Sequence, residues 1–556
     1  MKAYGVIRYG VMVAMLFCTC SNAPTAGGSS DSGNVKFAGV IIHESDGPAA
    51  GAIVTLCPEN FIHGIENTGI ASDTSQIRRT VTDAGGRFEF RSVPEGDYCV
   101  EVNDRESQAL LIRTVIADDD QPLFIEDTLR HWSVLEGNVD LTGNPAGQHY
   151  VVVYGLDRKI RVGNDGYFKI PDLPEGVYRV RLISTDSSVA AVEADSIATT
   201  SGNTHRIPLL GWKHYTAIYL NTTADGADIT DNVYNFPVLV RLTEDNFAFD
   251  EAADDGSDLR FTGKDGNPCS FEIERWSSAL QKAEIWVMVD TVFGNCDTGF
   301  IRMHWGRTGD VPTQATGTVF DTANGFQAVW HLSDTDYLSA KDATPNRYHG
   351  VAVGMNESSV AEGVIGVSRE FNGTSSHITI PDSKSGSLNV PEDADYTVSA
   401  WVYAERLDVV SQAVLSKGDE QYFLCSIGGA GGASHWQFTD FKENEGWRYS
   451  SVAASEKEWV YLTGVRNGTE QFLYLNGNMV DSTVSVLASD KTRITTINVS
   501  IGNFLAEDGS DDGGFFNGRI DEVRIRNVVS DANWIRLCYM NQRSEDRLIR
   551  VEVKQN

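Results

Sequence analysis

A pattern that occurs twice governs what this chain can become. The run Thr82-Asp83-Ala84-Gly85-Gly86-Arg87-Phe88-Glu89-Phe90, followed by Pro94-Glu95-Gly96-Asp97-Tyr98, returns as Gly163-Asn164-Asp165-Gly166-Tyr167-Phe168-Lys169-Ile170, followed by Pro174-Glu175-Gly176-Val177-Tyr178. In both copies apolar and polar residues alternate over short stretches that end at glycine-bearing turns, the signature of strands with one buried face. The same punctuation holds from Val35 to about Arg130, with a further turn at Asp46-Gly47. A repeat of this kind predicts two small β-rich modules in tandem. Its glycines supply positive φ angles and its aromatic residues fill a small core.

A second stretch carries more chemistry. Phe515-Phe516-Asn517-Gly518-Arg519-Ile520-Asp521-Glu522-Val523-Arg524-Ile525-Arg526 alternates as a strand, and strict alternation puts Asp521 on the face of Val523 and Ile525, with Glu522 pointing the other way. A carboxylate on an apolar face needs a cation or several backbone N–H donors. After it, Ser530 is placed to cap a closing helix on which Trp534, Leu537 and Cys538 share one stripe. Asn476-Gly477, between Leu473-Tyr474-Leu475 and Met479-Val480, is a type I′ hairpin signal.

Blocks in a fixed order carry a family resemblance: Val329-Trp330-His331-Leu332, Asp342 to Gly350, Phe371-Asn372-Gly373, Tyr396 to Val402, Leu473 to Gly477, Ile501-Gly502-Asn503 and the Asp521 strand. Together they resemble the laminin-G-like, concanavalin A-type jelly-roll of large bacterial surface proteins. The resemblance implies a two-sheet sandwich, frequently with calcium, that binds glycans or proteins. Upstream, Phe236 to Leu242, Asp254 to Phe261, Ile273 to Trp276, Ile285-Trp286-Val287 and Ile301 to Gly306 resemble a family without assigned function that often precedes such modules. The two repeat copies are similar to carboxypeptidase-regulatory-like (transthyretin-like) sandwiches, usually spacers.

The expected fold class is therefore all-β and multidomain: a signal peptide over 1–20, a Gly/Ser linker over 21–34, small sandwiches over 35–131 and 132–210, a β-rich domain of unknown function over 211–310, and the jelly-roll over 319–556. A chain of 556 residues exceeds what one core serves. Its net charge of -32 repels a phosphate backbone, which excludes nucleic acid as a partner. The acidic surplus fits either cation sites or solubility alone.

Lys2 and Arg8 precede a short apolar run from Val11 to Phe17, too short to span a membrane and suited to export. Cys20 resembles a bacterial lipoprotein attachment cysteine, although Phe17 and Cys18 depart from the usual lipobox, leaving Cys18 or ordinary cleavage as alternatives. The implied location is the cell envelope, anchored at the outer membrane and facing outward. Membrane contact is confined to that anchor. Cys57, Cys99, Cys269, Cys296, Cys425 and Cys538 fall two to a domain, and in an exported chain they are either disulfide partners or buried thiols.

For a metal, the jelly-roll resemblance implies one structural calcium held by Asp342 and Asp521, with help from Asn346 or Asn372; the alternative is that these side chains accept backbone N–H bonds in local turns. Asp254, Asp255 and Asp258, and the loop Glu507 to Gly513, are weaker acidic loops that also fit solvated turns. For a glycan, Tyr422, Trp436, Trp447 and Tyr449 are the aromatic residues placed to line a groove, whereas Trp401 and Trp459 are assigned to the interior. For catalysis, the glucanase strand E-x-D-x-E is missing. Glu272 and Glu274 form the nearest pair and read as outward acids on an ordinary strand. No serine nucleophile elbow, HExxH or phosphate loop occurs either, and His331 and His349 read as structural.

The leading expectation is a non-catalytic surface lipoprotein that binds carbohydrate or mediates adhesion through a calcium-supported jelly-roll. The rivals are a protein-binding component of a surface assembly and a glycoside hydrolase with an unrecognised site.

Overall fold

The structure is a computed structural model that describes residues 34–552, except 46, 65–73, 118–121, 142–146, 186–191, 208, 265, 308–318, 383–387, 391–393, 408–410, 419–420, 429–432, 443–445, 485–494, 507–509 and 511–512. Cys20, the signal segment and most of the 507–513 loop lie outside the described residues. Strands dominate, and the one α-helix among the described residues is Ala532–Gln542.

The repeat is structural as well as sequential. The successive strands Arg87–Arg91 and Gly96–Asn103 in the first module correspond to Tyr167–Leu173 and Gly176–Ser184 in the second; in each copy the first of the two pairs with the strand that opens the module, Val35–His43 or Ser133–Asn138. Gly86 and Gly166 hold φ of 72° and 82°, and a Cβ on either would overlap a carbonyl oxygen, that of Ile41 or of Val139. That close approach is why both copies keep glycine there. Tyr98 donates its hydroxyl to Pro94 O at 3.2 Å, and Tyr178 does the same to Pro174 O at 2.6 Å. The two modules are joined by an Arg158–Glu101 ion pair and by Arg113 Nη2 donating to Val177 O at 2.7 Å.

The third module is itself a sandwich. One sheet runs Pro268–Cys269, Arg260–Thr262, Gly299–Trp305, His214–Leu220 and Ile549–Val551; the other runs Val233–Thr243, Lys282–Val292 and Phe271–Ser277. The last strand comes from the far end of the chain, so the 319–556 unit read from sequence does not end as a separate body. Its final strand completes the third module's sheet by pairing Leu220 with Ile549 and Ile218 with Val551.

Two eight-stranded sheets make the C-terminal jelly-roll. Between them lie Trp330, Val398, Val402, Leu424, Phe438, Leu473, Ile501, Ile520, Val523 and Ile525. Asn476 and Gly477 have φ of 50° and 77°, as the predicted hairpin requires. The helix is capped one residue later than expected: Asp531 accepts from Trp534 N at 2.8 Å. Ser530 instead donates its N–H to Thr397 Oγ1 and takes Arg526 Nη1 on its own hydroxyl.

This helix lies on the outer face of the first jelly-roll sheet and fastens it to the third module. Ile535, Leu537 and Cys538 share one apolar cluster with Trp401, Tyr461 and Tyr474 of that sheet and with Val238 and Val240 of the third module. Asn541 both accepts from Leu239 N at 2.7 Å and donates to Leu239 O at 2.9 Å. Trp401 is buried, as expected, but against the helix and not between the sheets. Trp459 is half-buried on the same outer face, beside Tyr403 and Arg519.

All six cysteines among the described residues are free thiols. Cys57 and Cys99 are direct neighbours on adjacent strands, and burial raises their pKa to about 12 and about 11. Of the two readings of the cysteines, the structure has the thiol one.

Candidate functional site

Since the helix and the third module cover the first sheet, the open face of the jelly-roll is the outer side of the second. Its strands Ser411–Lys417, Tyr422–Gly428, Ser434–Lys442 and Gly446–Ala453 are consecutive antiparallel neighbours. Alternation divides their residues. Tyr422, Leu424, Trp436 and Phe438 point into the core, and Phe423, Cys425, Gln437, Thr439 and Tyr449 line the outer side.

Those outward residues, with Phe504 from a neighbouring loop, border a groove of about 550 Å³. Phe423 and Phe504 meet edge to face at 4.8 Å, and Tyr449 is 58% exposed, so aromatic faces stand at the groove. Ser411, His435 and Ser451 add polar atoms. Gln437 is buried, yet its Oε1 has no hydrogen-bond partner. Cys425 is inert there, its thiol pushed up to about 12 by burial.

Of the four aromatic residues expected at a ligand, two are placed elsewhere. Tyr422 and Trp436 are fully buried between the sheets, and Tyr422 donates its hydroxyl to Leu388 O at 3.2 Å. Tyr449 is at the groove, and the Trp447 side chain lies outside the described residues. Phe423, Gln437 and Phe504 were missed. The signal for the first two was parity: once Leu424 and Phe438 are taken as core, their strand neighbours must face outward.

The residues expected to hold calcium have other partners. Asp342 accepts from Val329 N, Thr344 N, Thr344 Oγ1 and Tyr348 N at 2.8–3.0 Å, which uses both lone-pair positions on each oxygen. Asn346 donates to Gln327 O, and Asn372 Oδ1 accepts from Thr374, Ser375 and Ser376 N–H groups. Asp521 accepts from Val364 N at 2.8 Å and Ile365 N at 3.0 Å. Both N–H groups reach Asp521 Oδ2, and its Oδ1 has no partner; a shared calcium ion still does not fit the set, because local turns already hold both Asp342 oxygens and Asn372 Oδ1. Asp258 is engaged likewise, by Ala253, Gly306 and Arg307 N–H groups.

Asp521 also faces a direction that alternation does not give. Opposite Ser399 to Trp401 the register of Asn517–Arg526 shifts, and Glu522 takes φ of 52°. This bulge turns both Asp521 and Glu522 to the outer face, while Ile520, Val523 and Ile525 stay in the core.

There the two acids meet the third module. Glu522 Oε1 lies 2.6 Å from His331 Nδ1, and its Oε2 accepts from Arg524 Nη2 at 2.6 Å. Glu274, from the third module, lies 3.5 Å from the same His331 nitrogen and accepts from Trp286 Nε1 at 2.8 Å. Glu272 Oε1 is 3.9 Å from His331 Nε2. Trp286 stacks on the His331 ring, and Arg524 lies over the Trp286 ring at 4.5 Å. Glu272 and Glu274, read as outward acids on an ordinary strand, are thus folded under the jelly-roll.

Burial in this seam sets the charges. Desolvation, reinforced by Glu522, raises Glu274 to about 8. His331 is raised to about 10 because the carboxylates of Glu522 and Glu274 outweigh its desolvation. Desolvation and Glu522 also hold Asp521 well above the usual carboxylate range, whereas His331 and Arg524 hold Glu522 below it against its burial.

Comparison with known proteins follows the same division. Residues 372–536 match the family model of the concanavalin A-like lectin/glucanases superfamily, and residues 255–333 match that of a domain of unknown function (DUF2341). The C-terminal jelly-roll is accordingly similar to the lectin/glucanase sandwiches over residues 372–536. No curated protein matches the chain. Among solved structures, domain 4 of the extracellular GH43 arabinanase AbnA from Geobacillus stearothermophilus, in complex with arabinotriose, is similar at 22% identity and a TM-score of 0.29, over 38% of this chain and 97% of that one. The binding domain of Paraclostridial Mosquitocidal Protein 1 is similar at 13% identity and a TM-score of 0.31, over 39% of this chain and 52% of that one. A structure of botulinum neurotoxin type C gives 10% identity and a TM-score of 0.31, over 40% of this chain and 52% of that one. The chain spans about half the length of the two toxin structures.

Proposed function

We propose that this protein binds carbohydrate, without converting it, in the groove on the outer face of the second jelly-roll sheet. The observation that carries the reading is that the exposed Tyr449 and the half-buried Phe423 line one groove together with polar side chains, His435, Gln437 and Thr439. Sugar rings present C–H surfaces that pack on aromatic faces and hydroxyls that hydrogen-bond to polar side chains. The lectin/glucanase family match of residues 372–536 supports it. In this reading the two repeat modules are spacers, and the chain is exported and lipid-anchored through Cys20 at the bacterial outer membrane, displaying the groove outward.

A glycan array probed with residues 34–556 tests it, because the helix and the last strand tie the jelly-roll to the third module. Binding to a defined set of glycans, with no release of reducing sugar from them, is the expected outcome. Reducing-sugar release instead assigns a hydrolase. An empty array, with capture by a surface protein, assigns the assembly role.

A further inference from the structure

The buried acids of the seam lie under the first jelly-roll sheet, away from the groove, and have no part in holding a glycan. We propose that Glu274, His331 and Glu522 bind a divalent first-row transition cation, with zinc the ion that suits them best, and that this ion fastens the third module to the jelly-roll.

One imidazole nitrogen and two carboxylate oxygens lie within 4.8 Å of one another. The separations from His331 Nδ1, 2.6 Å to Glu522 and 3.5 Å to Glu274, bracket the roughly 3.3 Å between donors that each sit about 2.05 Å from a tetrahedral ion. Mixed imidazole and carboxylate ligation favours zinc or its neighbours over calcium, which takes oxygens alone.

An unmet atom points to a ligand independently of the acidic cluster. The Glu274 side chain is 1% exposed, and its Oε1 has no partner. Leaving a buried carboxylate oxygen unpaired in a seam is costly, and an ion bound by that carboxylate offsets the cost.

The outer ring is that of a metal site. Ligand groups are normally oriented by second partners, a histidine through its other ring nitrogen. Here Arg524 holds Glu522 Oε2, Trp286 donates to the same Glu274 Oε2 that faces His331 Nδ1, and Glu272 Oε1 lies 3.9 Å from His331 Nε2.

Charge supplies the last argument. Glu272, Glu274, Asp521 and Glu522 are met by Arg524 and His331, while Arg275 is engaged by Glu284, and Arg241 by Asp546 and backbone carbonyls. Fully ionised, the seam keeps a surplus of two negative charges, or three when His331 gives its proton up. A divalent cation removes most of it, and Glu272 at 22% exposure marks the edge through which an ion exchanges.

The test uses residues 34–556 without a polyhistidine tag. Stripped with chelator, exposed to zinc and desalted, the protein is expected to retain on the order of one zinc per chain and to unfold several degrees higher. Glu274→Gln and Glu522→Gln are each expected to weaken zinc binding by about tenfold or more. Because either variant can lose its fold, cobalt(II) loaded into the unaltered chain gives an independent reading: strong visible absorption of a four- or five-coordinate ion is expected. Substoichiometric zinc, or cobalt with the pale spectrum of its aqueous six-coordinate form, overturns the site and leaves protons to balance the seam.

Discussion

Glu274 and His331 face each other at 3.5 Å across the seam between the third module and the jelly-roll, each brought there by a different sheet. Glu274 arrives on the strand Phe271–Ser277, and His331 follows Phe326–Trp330, whose partner strand carries Glu522. The two modules therefore share polar as well as apolar interior, and disturbing one should be felt in the other.

Removing the Glu522 charge tests that coupling. Glu522→Gln leaves Arg524 and His331 buried without their counter-ion, and breaking a pair of this kind costs on the order of 3–5 kcal/mol. The expected outcome is a large fall in the denaturant midpoint, with the third module and jelly-roll unfolding in one transition.

The seam also fixes a pH dependence for the metal-free protein. Glu274 at about 8 and His331 at about 10 hold protons in the folded state that the unfolded chain releases near 4.5 and 6.5. Both contributions are fully present below those unfolded values. Glu274's is lost as pH rises toward about 8, and His331's toward about 10. Stability should fall across this range, by at most about 1.4 kcal/mol per pH unit for each proton. Chemical denaturation between pH 5 and 9 checks it, and Glu274→Gln should flatten the lower part of the slope.

The two core aromatic residues and the groove residue Tyr449 should separate cleanly. Tyr422→Ala and Trp436→Ala empty space between the sheets and are expected to cost about 3–5 kcal/mol. Tyr449→Ala, at a side chain 58% exposed, should leave the melting temperature within a degree or two and lower glycan affinity. Paired melting and binding curves decide it.

Much of this architecture was legible because its signals are local. The repeat glycines answer to one carbonyl contact each, Asn476-Gly477 to one turn, and the family blocks to single strands. What escaped notice depends on partners distant in sequence. The bulge at Glu522 has no residue signature, since a glutamate at φ of 52° resembles any strand residue until its register with Ser399 and Trp401 is known. Glu272 and Glu274 read as outward acids because nothing in their own strand says that a second module covers them. The groove aromatic residues were half found: Tyr449 lies on the outer side, but Tyr422 and Trp436 were placed there without fixing which parity faces the core.

Gly86→Ala and Gly166→Ala probe the repeat itself. Each substitution forces a Cβ onto a carbonyl oxygen at positive φ, with an expected cost on the order of 1–3 kcal/mol. Thermal melting should show the loss in the first or second module, with glycan binding unchanged.

Isothermal titration of residues 34–556 with an oligosaccharide identified on the array, for the unaltered chain and for Tyr449→Ala, bears most directly on the claim that the outer groove holds sugar. A fall in affinity of about tenfold, equivalent to about 1.4 kcal/mol, is expected for Tyr449→Ala, with Tyr215→Ala on the third module as an unaffected control. Equal affinity in all three proteins, or heat traceable to cleavage of the sugar, would contradict it.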